Sequence, residues 1–75
     1  LNSNDMILGH KIRKIREIRG LKQEDIAAKL NIKQQSYREY EQKDDIPEEK
    51  FTAIAEALGV DPEIIRNFDE KNVLR

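Results

Sequence analysis

The sequence predicts an all-α fold in which five helices form one small bundle. Charged residues make up 39% of the chain and aromatic residues 5%, a composition that favours helices over strands. Apolar residues recur every three or four positions, and no stretch of useful length alternates as a strand would. With 75 residues and no cysteine, the chain can build one modest core without a disulfide. The bundle is expected at 7–68, with a disordered tail or cloning remnant at 1–6 and a polar tail at 69–75 leading into a further segment.

The first two helices are predicted at 7–19 and 22–30. Gly20 follows a basic last turn of the first helix, where a glycine with left-handed backbone commonly ends a helix. Asn31 is expected to end the second helix in the same way, since asparagine adopts left-handed backbone more readily than most residues. Each helix has one apolar face, formed by Leu8, Ile12, Ile15 and Ile18 in the first and by Ile26, Ala27 and Leu30 in the second.

Further helices are predicted at 33–42, at 47–58 and in a short segment after residue 60. Pro47 supplies the φ angle that a first helical turn needs, and Gly59 is expected to end the fourth helix. Asp61, followed by a proline, is the pattern of an N-cap and a first helical residue. The apolar residues of these helices are Ile32, Tyr37 and Tyr40, then Phe51, Ile54, Ala55 and Leu58, and finally Ile64, Ile65 and Phe68.

Charge is distributed unevenly, although the net charge is only −1. Residues 9–43 include ten basic and five acidic side chains, whereas residues 44–75 include four basic and nine acidic ones. Association with DNA depends on the field within about 8–10 Å of the surface rather than on the total charge. The basic half is therefore compatible with a polyanionic partner, provided that the acidic half faces away from it.

Several motifs in a fixed order give the chain a specific resemblance. They are GLKQEDIA at 20–27, LNI at 30–32, Ser36, Glu41 and IAEALGV at 54–60. In this order and spacing they resemble the Cro/CI-type, or XRE-family, helix-turn-helix domain (the lambda repressor-like DNA-binding domain), over roughly residues 8–68. The resemblance implies that the second and third helices form a helix-turn-helix whose third helix, 33–42, lies in the major groove of double-stranded DNA.

The resemblance also implies roles for individual side chains. Base contacts are expected from the outward residues of the third helix, Gln34, Gln35, Ser36, Arg38 and Glu39. Phosphate contacts are expected from Gln23, Lys22, Lys33 and Lys43. Arg16 and Glu41 match a pair that forms a partly buried ion pair between the first and third helices of family members. Tyr37 and Tyr40 match core positions.

The chemistry of these side chains agrees with such roles. Glutamine offers one donor and one acceptor, which matches N7 and N6 of adenine in the major groove. Lys22 and Lys33 stand at N-cap positions but cannot accept a hydrogen bond, which costs each helix start about 1 kcal/mol. A phosphate bound nearby would relieve the unfavourable placement of a cation at a helix start.

The segment around the end of the third helix departs from the family pattern. Lys43 replaces a glycine that many members carry, which implies either a strained residue or a different turn. Asp44 and Asp45 replace a basic loop that touches phosphate, so a modest affinity per domain is expected. Glu39 is open to three interpretations: it accepts from cytosine N4, excludes wrong sequences, or pairs with Arg38 or a lysine.

Catalytic and metal sites are not expected. His10 is the only histidine and the chain has no cysteine, which argues against a metal site. The acid pairs Asp44-Asp45 and Glu48-Glu49 are interpreted as complements of a helix dipole. The sequence shows no nucleophile with a base beside it and no glycine-rich phosphate loop. We therefore expect neither enzyme activity nor a cofactor.

Taken together, these features predict a sequence-specific transcription regulator of a bacterium or phage that acts on double-stranded DNA in the cytoplasm, at the nucleoid. A homodimer on a palindromic site is expected, because one domain of this size binds weakly. Ile64, Ile65 and Phe68 are candidates for self-association, the alternative being that they close the core. The alternative function is a helix-turn-helix that binds a protein partner, or an antitoxin subunit.

Overall fold

The computed structural model of the chain describes residues 6–69, in which every regular element is a helix. The helices are α1 (Leu8–Ile18), α2 (Gln23–Leu30), α3 (Gln34–Tyr40), α4 (Glu48–Leu58) and α5 (Pro62–Arg66). The predicted all-α, five-helix fold is confirmed, although α3 ends earlier than expected. The terminal tails expected at 1–6 and 69–75 lie outside the described residues apart from Met6 and Asp69.

Residues with left-handed backbone end three helices where they were expected to. Gly20 follows α1 with a φ of 70°, and Asn31 and Gly59 follow α2 and α4 with φ of 58° and 79°. Glycine adopts such angles without steric cost, and asparagine tolerates them. α5 also begins as predicted, because Oδ1 of Asp61 accepts a hydrogen bond from the backbone N–H of Glu63 at 2.9 Å.

α4 organises the bundle. It packs against α1, α2 and α5, while α3 packs mainly on α2. α3 is therefore peripheral, with one long side open to solvent. None of the helices in the described range is long and apolar enough to cross a membrane.

The core draws on all five helices and on the segment before α4. Its buried apolar residues are Ile12, Ile15, Ile26, Ala27, Tyr37, Ile46, Phe51, Ile54, Ala55, Ala57, Leu58, Ile65 and Phe68. Two residues of the predicted apolar faces are exposed instead, Ile18 by 57% and Ile64 by 56%. Both line a shallow groove between the end of α1 and α5. Helical periodicity predicts which side of a helix faces the bundle, but it does not predict how deeply a residue on that side is buried.

This burial bears on the two interpretations of Ile64, Ile65 and Phe68, self-association and closure of the core. Ile65 is fully buried and Phe68 nearly so, which means that both close the core of their own chain. Of the three candidates, only Ile64 is exposed, so it alone stays a candidate for self-association.

The first turn of α1 is packed tightly against the end of α3. The backbone N–H of Gly9 donates to the carbonyl oxygen of Lys43 at 2.7 Å. A Cβ atom at Gly9 would lie 2.5 Å from the carbonyl oxygen of Tyr40, so only glycine fits there. Beside it, the backbone N–H of Leu8 donates to Oδ1 of Asp44 at 2.9 Å. These two hydrogen bonds hold the segment after α3 against the start of α1, and Asp44 provides a cap that the residue preceding α1 does not supply.

Candidate nucleic-acid interface

α2 and α3 are joined by a turn of residues 31–33. The backbone N–H groups of Asn31 and Ile32 donate to the carbonyl oxygens of Ala28 and Ala27 at 3.1 and 3.0 Å. Together with the left-handed backbone of Asn31, these hydrogen bonds satisfy the last carbonyls of α2 and end it abruptly. The chain then turns directly into α3, which packs against α2.

One side of α3 is anchored and the other is open to solvent. Tyr37 is fully buried and Tyr40 is partly buried against the core, as the resemblance implies. The exposed side chains are Gln34, Gln35, Ser36, Arg38 and Glu39. The five residues expected to contact bases are therefore all available on the outward side of one helix. Three of them, Gln34, Ser36 and Glu39, form no side-chain hydrogen bond with any residue between 6 and 69.

A buried ion pair lies behind this surface. Nε and Nη2 of Arg16 donate to Oε2 and Oε1 of Glu41 at 2.6 and 3.2 Å, and the two side chains are only 10% and 2% exposed. Nη1 of Arg16 also donates to the carbonyl oxygen of Leu21 at 2.9 Å. The pair thus ties α1 to the end of α3 and to the segment that precedes α2.

The neighbours of Glu41 keep its carboxyl ionised. Burial by itself raises the pKa of Glu41, but hydrogen bonds donated by Arg16 and Gln23 outweigh burial and hold the pKa below its usual value. The hydroxyl of Tyr37 is buried and has no hydrogen-bond partner within the described range. Burial raises the pKa of this phenol, so Tyr37 stays neutral while Glu41 stays negative around pH 7.

Gln23 links the ion pair to the outward side of α3. Its Nε2 donates to Oε1 of Glu41 at 2.9 Å, and its Oε1 accepts from Nε of Arg38 at 3.5 Å. Nη1 of Arg38 in turn donates to Oε1 of Gln35 at 3.4 Å. A chain of hydrogen bonds therefore runs from the buried carboxylate to the exposed helix side. It joins the expected phosphate contact, Gln23, to two of the expected base contacts.

Two of the lysines expected to contact phosphate sit where α2 and α3 begin. Lys22 and Lys33 are exposed N-cap residues, and neither accepts a capping hydrogen bond with its side chain. The missing cap at the start of α2 is partly replaced, because the carboxylate of Asp25 accepts a hydrogen bond from the backbone N–H of Lys22 at 2.9 Å. The start of α3 has no corresponding side-chain acceptor within the described residues.

The segment after α3 adopts a different turn rather than a strained one. Lys43 does not have positive φ, and its ammonium lies 5.6 Å from the centroid of the Tyr40 ring. Asp44 does complement a helix dipole, as interpreted from the sequence, but the helix is α1 and the contact is with Leu8. Asp45 remains exposed, with no ion pair to any residue in the described range.

The basic half of the chain is spread over several sides of the bundle. Lys11 and Lys29 donate to main-chain carbonyls of α5 and α4, at 2.8 and 3.3 Å. Arg13 lies 3.8 Å from Glu17 on α1, and Arg16 is buried. Only part of the positive charge counted in the sequence therefore lies at the α2–α3 surface.

The sequence did not point to two features that shape this surface, the capping of α1 by Asp44 and the hydrogen bonds of Arg38. Gly9 could have indicated that another segment packs against the start of α1, because a glycine within a helical pattern often marks a close backbone approach. The second depends on side-chain conformation, for which the sequence has no signal.

Comparison with known proteins agrees with this geometry. A family model described as helix-turn-helix matches residues 12–65, which is most of the chain and includes α2, the turn and α3. No curated protein and no solved structure gives a significant match. Domains of this family bind double-stranded DNA. The chain therefore belongs to the XRE-type helix-turn-helix family.

Proposed function

We propose that the chain is a sequence-specific transcription regulator of a bacterium or phage, and that α3 reads base edges in the major groove. The observation that carries this proposal is the division of α3 into two sides. Its inner side is fixed by Tyr37 and by the pairing of Glu41, while its outer side presents a continuous set of hydrogen-bonding side chains. A helix that reads bases needs this division, because its side chains must be placed against the groove without disturbing the core.

Phosphate contacts from the start of α2 and α3 would set the position of the reading helix on DNA. Lys22 and Lys33 are exposed there and have no acidic side chain paired with them within residues 6–69. Gln23 is partly buried, and one hydrogen of its Nε2 is used on Glu41. The second hydrogen of that amide is available to a phosphate oxygen.

Two copies of the domain would bind a palindromic site, with half-sites about 34–36 Å apart or a multiple of that distance. The groove that contains Ile18 and Ile64 supports this part of the proposal, because two large apolar side chains of the same groove are exposed. The groove lies on the α1–α5 side of the bundle, whereas α3 packs on α2, so a contact there leaves α3 free for DNA.

Fluorescence anisotropy tests the proposal. A labelled mixed-sequence duplex is titrated at several salt concentrations, and the preferred sequence is then selected from a random pool. We expect log K to fall linearly with log salt concentration, with a slope that corresponds to several released counterions. Replacing Gln34 and Gln35 together by alanine should weaken binding to the selected site about tenfold or more, with little effect on random DNA. The control is Asn67→Ala, which removes an exposed amide directly after α5, away from α3.

Failure of a folded, helical sample to bind any duplex at low salt would refute the proposal. It would favour the alternative, a helix-turn-helix that binds a protein partner or acts as an antitoxin subunit. The exposed acids around the start of α4 are the observation behind that alternative. Asp45→Lys tests the protein-partner alternative without affecting the cap of α1. A change at Asp44 would also remove that cap.

A further inference from the structure

We infer that Arg38 and Gln23 together hold one phosphate of the DNA backbone, so that Arg38 positions α3 in the groove instead of reading a base edge. The inference rests on the proposed function and gives Arg38 a role different from the base contact expected from the sequence. It assigns a phosphate site that joins the start of α2 to the second turn of α3.

The side chain of Arg38 runs from α3 toward the start of α2. Arg38 lies in the second turn of α3, whereas a recognition helix contacts base edges mainly through its N-terminal residues. Nε of Arg38 donates to Oε1 of Gln23, the first residue of α2, at 3.5 Å. Nη1 donates to Oε1 of Gln35 at 3.4 Å. The guanidinium therefore lies beside the start of α2, where a phosphate contact is expected.

The buried ion pair gives Gln23 an orientation that requires such a neighbour. Nε2 of Gln23 donates to Oε1 of Glu41 at 2.9 Å, and an ionised carboxylate can only accept. The nitrogen of the amide must therefore face Glu41, which turns its oxygen toward Arg38 and the surface. An amide oxygen and a phosphate oxygen are both acceptors and cannot bond each other. Because the Nε–H of Arg38 occupies this amide oxygen, the site offers donors to an approaching phosphate.

Arg38 keeps most of its donors after these contacts. A guanidinium has five N–H groups, and the bonds to Gln23 and Gln35 use two of them. The other three, on Nη1 and Nη2, form no hydrogen bond with any residue between 6 and 69. No carboxylate in that range pairs with Arg38, and this includes the adjacent Glu39. Planar donors with an uncompensated positive charge are suited to bidentate binding of a phosphate.

Neutralising single phosphates tests the inference. The selected site is synthesised as a series of duplexes, each with one phosphate replaced by an uncharged methylphosphonate. These duplexes are titrated by fluorescence anisotropy with the wild type, Arg38→Met, Arg38→Lys and Lys29→Met. Lys29→Met is the control for loss of one positive charge, because the ammonium of Lys29 bonds the carbonyl oxygen of Ala57 on α4. Far-UV circular dichroism checks that each variant is folded, which is expected because both substituted residues are exposed.

Several methylphosphonates should weaken the wild type, each by about tenfold, the lower end of what a hydrogen bond to a charged group contributes. Arg38→Met should weaken binding to the unmodified duplex by about the same factor, and one of those methylphosphonates should then have no further effect. Its loss should be equal on selected and random duplexes, and the slope of log K against log salt concentration should shrink by about one. Arg38→Lys keeps the charge and should retain the slope. Lys29→Met should retain both the slope and every methylphosphonate effect.

Gln23→Met tests whether the two side chains share that phosphate. Methionine keeps the length of Gln23 but cannot replace its hydrogen bonds to Arg38 and Glu41. If both side chains hold one phosphate, the double variant with Arg38→Met should bind at most about twofold more weakly than the weaker single variant. Losses that add in full would mean two separate contacts and would overturn the shared site. Should Gln23→Met fail to fold, the Arg38 variants still decide whether Arg38 contacts a phosphate.

Two further results would overturn the inference while leaving the proposed function intact. One is an Arg38→Met variant that loses discrimination at one base pair while every methylphosphonate keeps its effect, as loss of a base contact would. The other is an Arg38→Met variant that binds selected and random duplexes as tightly as the wild type. A wild-type protein that binds no duplex at low salt would instead refute the proposed function, and the inference with it.

Discussion

The buried ion pair allows a quantitative prediction about stability. Replacing Arg16 by methionine keeps much of the apolar length of the side chain but leaves the carboxylate of Glu41, which is 2% exposed, without its cation. Two hydrogen bonds to Glu41 and one to the carbonyl oxygen of Leu21 are lost at once. Removing one partner of a buried pair costs about 3–5 kcal/mol. A domain of this length is stable by roughly 4–11 kcal/mol in total. Arg16→Met should therefore remove a large part of the free energy of unfolding.

α1 also contains a matched control. Arg13 lies 3.8 Å from Glu17, and the two side chains are 47% and 50% exposed. Exposed pairs on one helix contribute about 0.3–0.5 kcal/mol, so Arg13→Met should change stability by no more than that. The two substitutions are chemically identical and differ only in burial.

The assay is urea unfolding followed by far-UV circular dichroism, with all variants compared by free energy of unfolding in water and by m-value. The double variant Arg16→Met with Glu41→Leu removes both charges and should be more stable than Arg16→Met alone, because an apolar replacement of a buried pair is often neutral. The reasoning would be refuted if Arg16→Met cost less than about 1 kcal/mol. It would also fail if the double variant were less stable than Arg16→Met, since the stranded charge would then not be the cause.

Further substitutions test other parts of the structure. The pKa of Glu41 lies below its ordinary value of 4.5, so the unfolded chain takes up its proton first as the pH falls. The stability that the ion pair contributes is complete above a pH of 4.5 and is lost as the pH falls through the pKa of Glu41 in the folded state. The urea midpoint should therefore drop more steeply with falling pH for the wild type than for Glu41→Gln. Parallel pH profiles of the two proteins would contradict this. Gly9→Ala should cost about 1–3 kcal/mol in urea unfolding, because its Cβ would overlap the backbone of Tyr40 and Glu41, and an unchanged midpoint would exclude that overlap. Asp44→Ala should cost about 1 kcal/mol and Asp44→Asn less, since asparagine keeps an acceptor for the start of α1; equal losses would mean that the cap is not the reason. Ile64→Glu should yield a monomer in sedimentation experiments without loss of stability, and an unchanged mass would place the self-association surface elsewhere.

Helix ends could be predicted because their determinants are local. Left-handed backbone at Gly20, Asn31 and Gly59 is a property of the residue type at a single position, and so is the capping by Asp61. Apolar periodicity assigned the core sides of the helices correctly as well. It could not distinguish a central position from one at the edge of the bundle, which is why Ile18 is exposed although it continues the apolar face of α1.

Contacts between distant segments could not be predicted in this way. Asp44 caps a residue 36 positions away, and nothing near either residue in the sequence indicates the partner. The outward residues of α3 and the Arg16–Glu41 pair were located through the family resemblance rather than through spacing. The hydrogen bonds of Arg38 depend on three side-chain conformations at once, which no residue pattern specifies.

The capping of α1 by Asp44 also changes the electric field that the segment after α3 presents. The start of a helix carries about half a positive charge, which a bonded carboxylate partly cancels. The field of such a compensated pair falls off faster with distance than the field of an isolated charge. Asp44 therefore repels an approaching phosphate less than its formal charge suggests. The carboxylate of Asp44 therefore presents a weaker barrier to a polyanion than an uncompensated carboxylate such as that of Asp45.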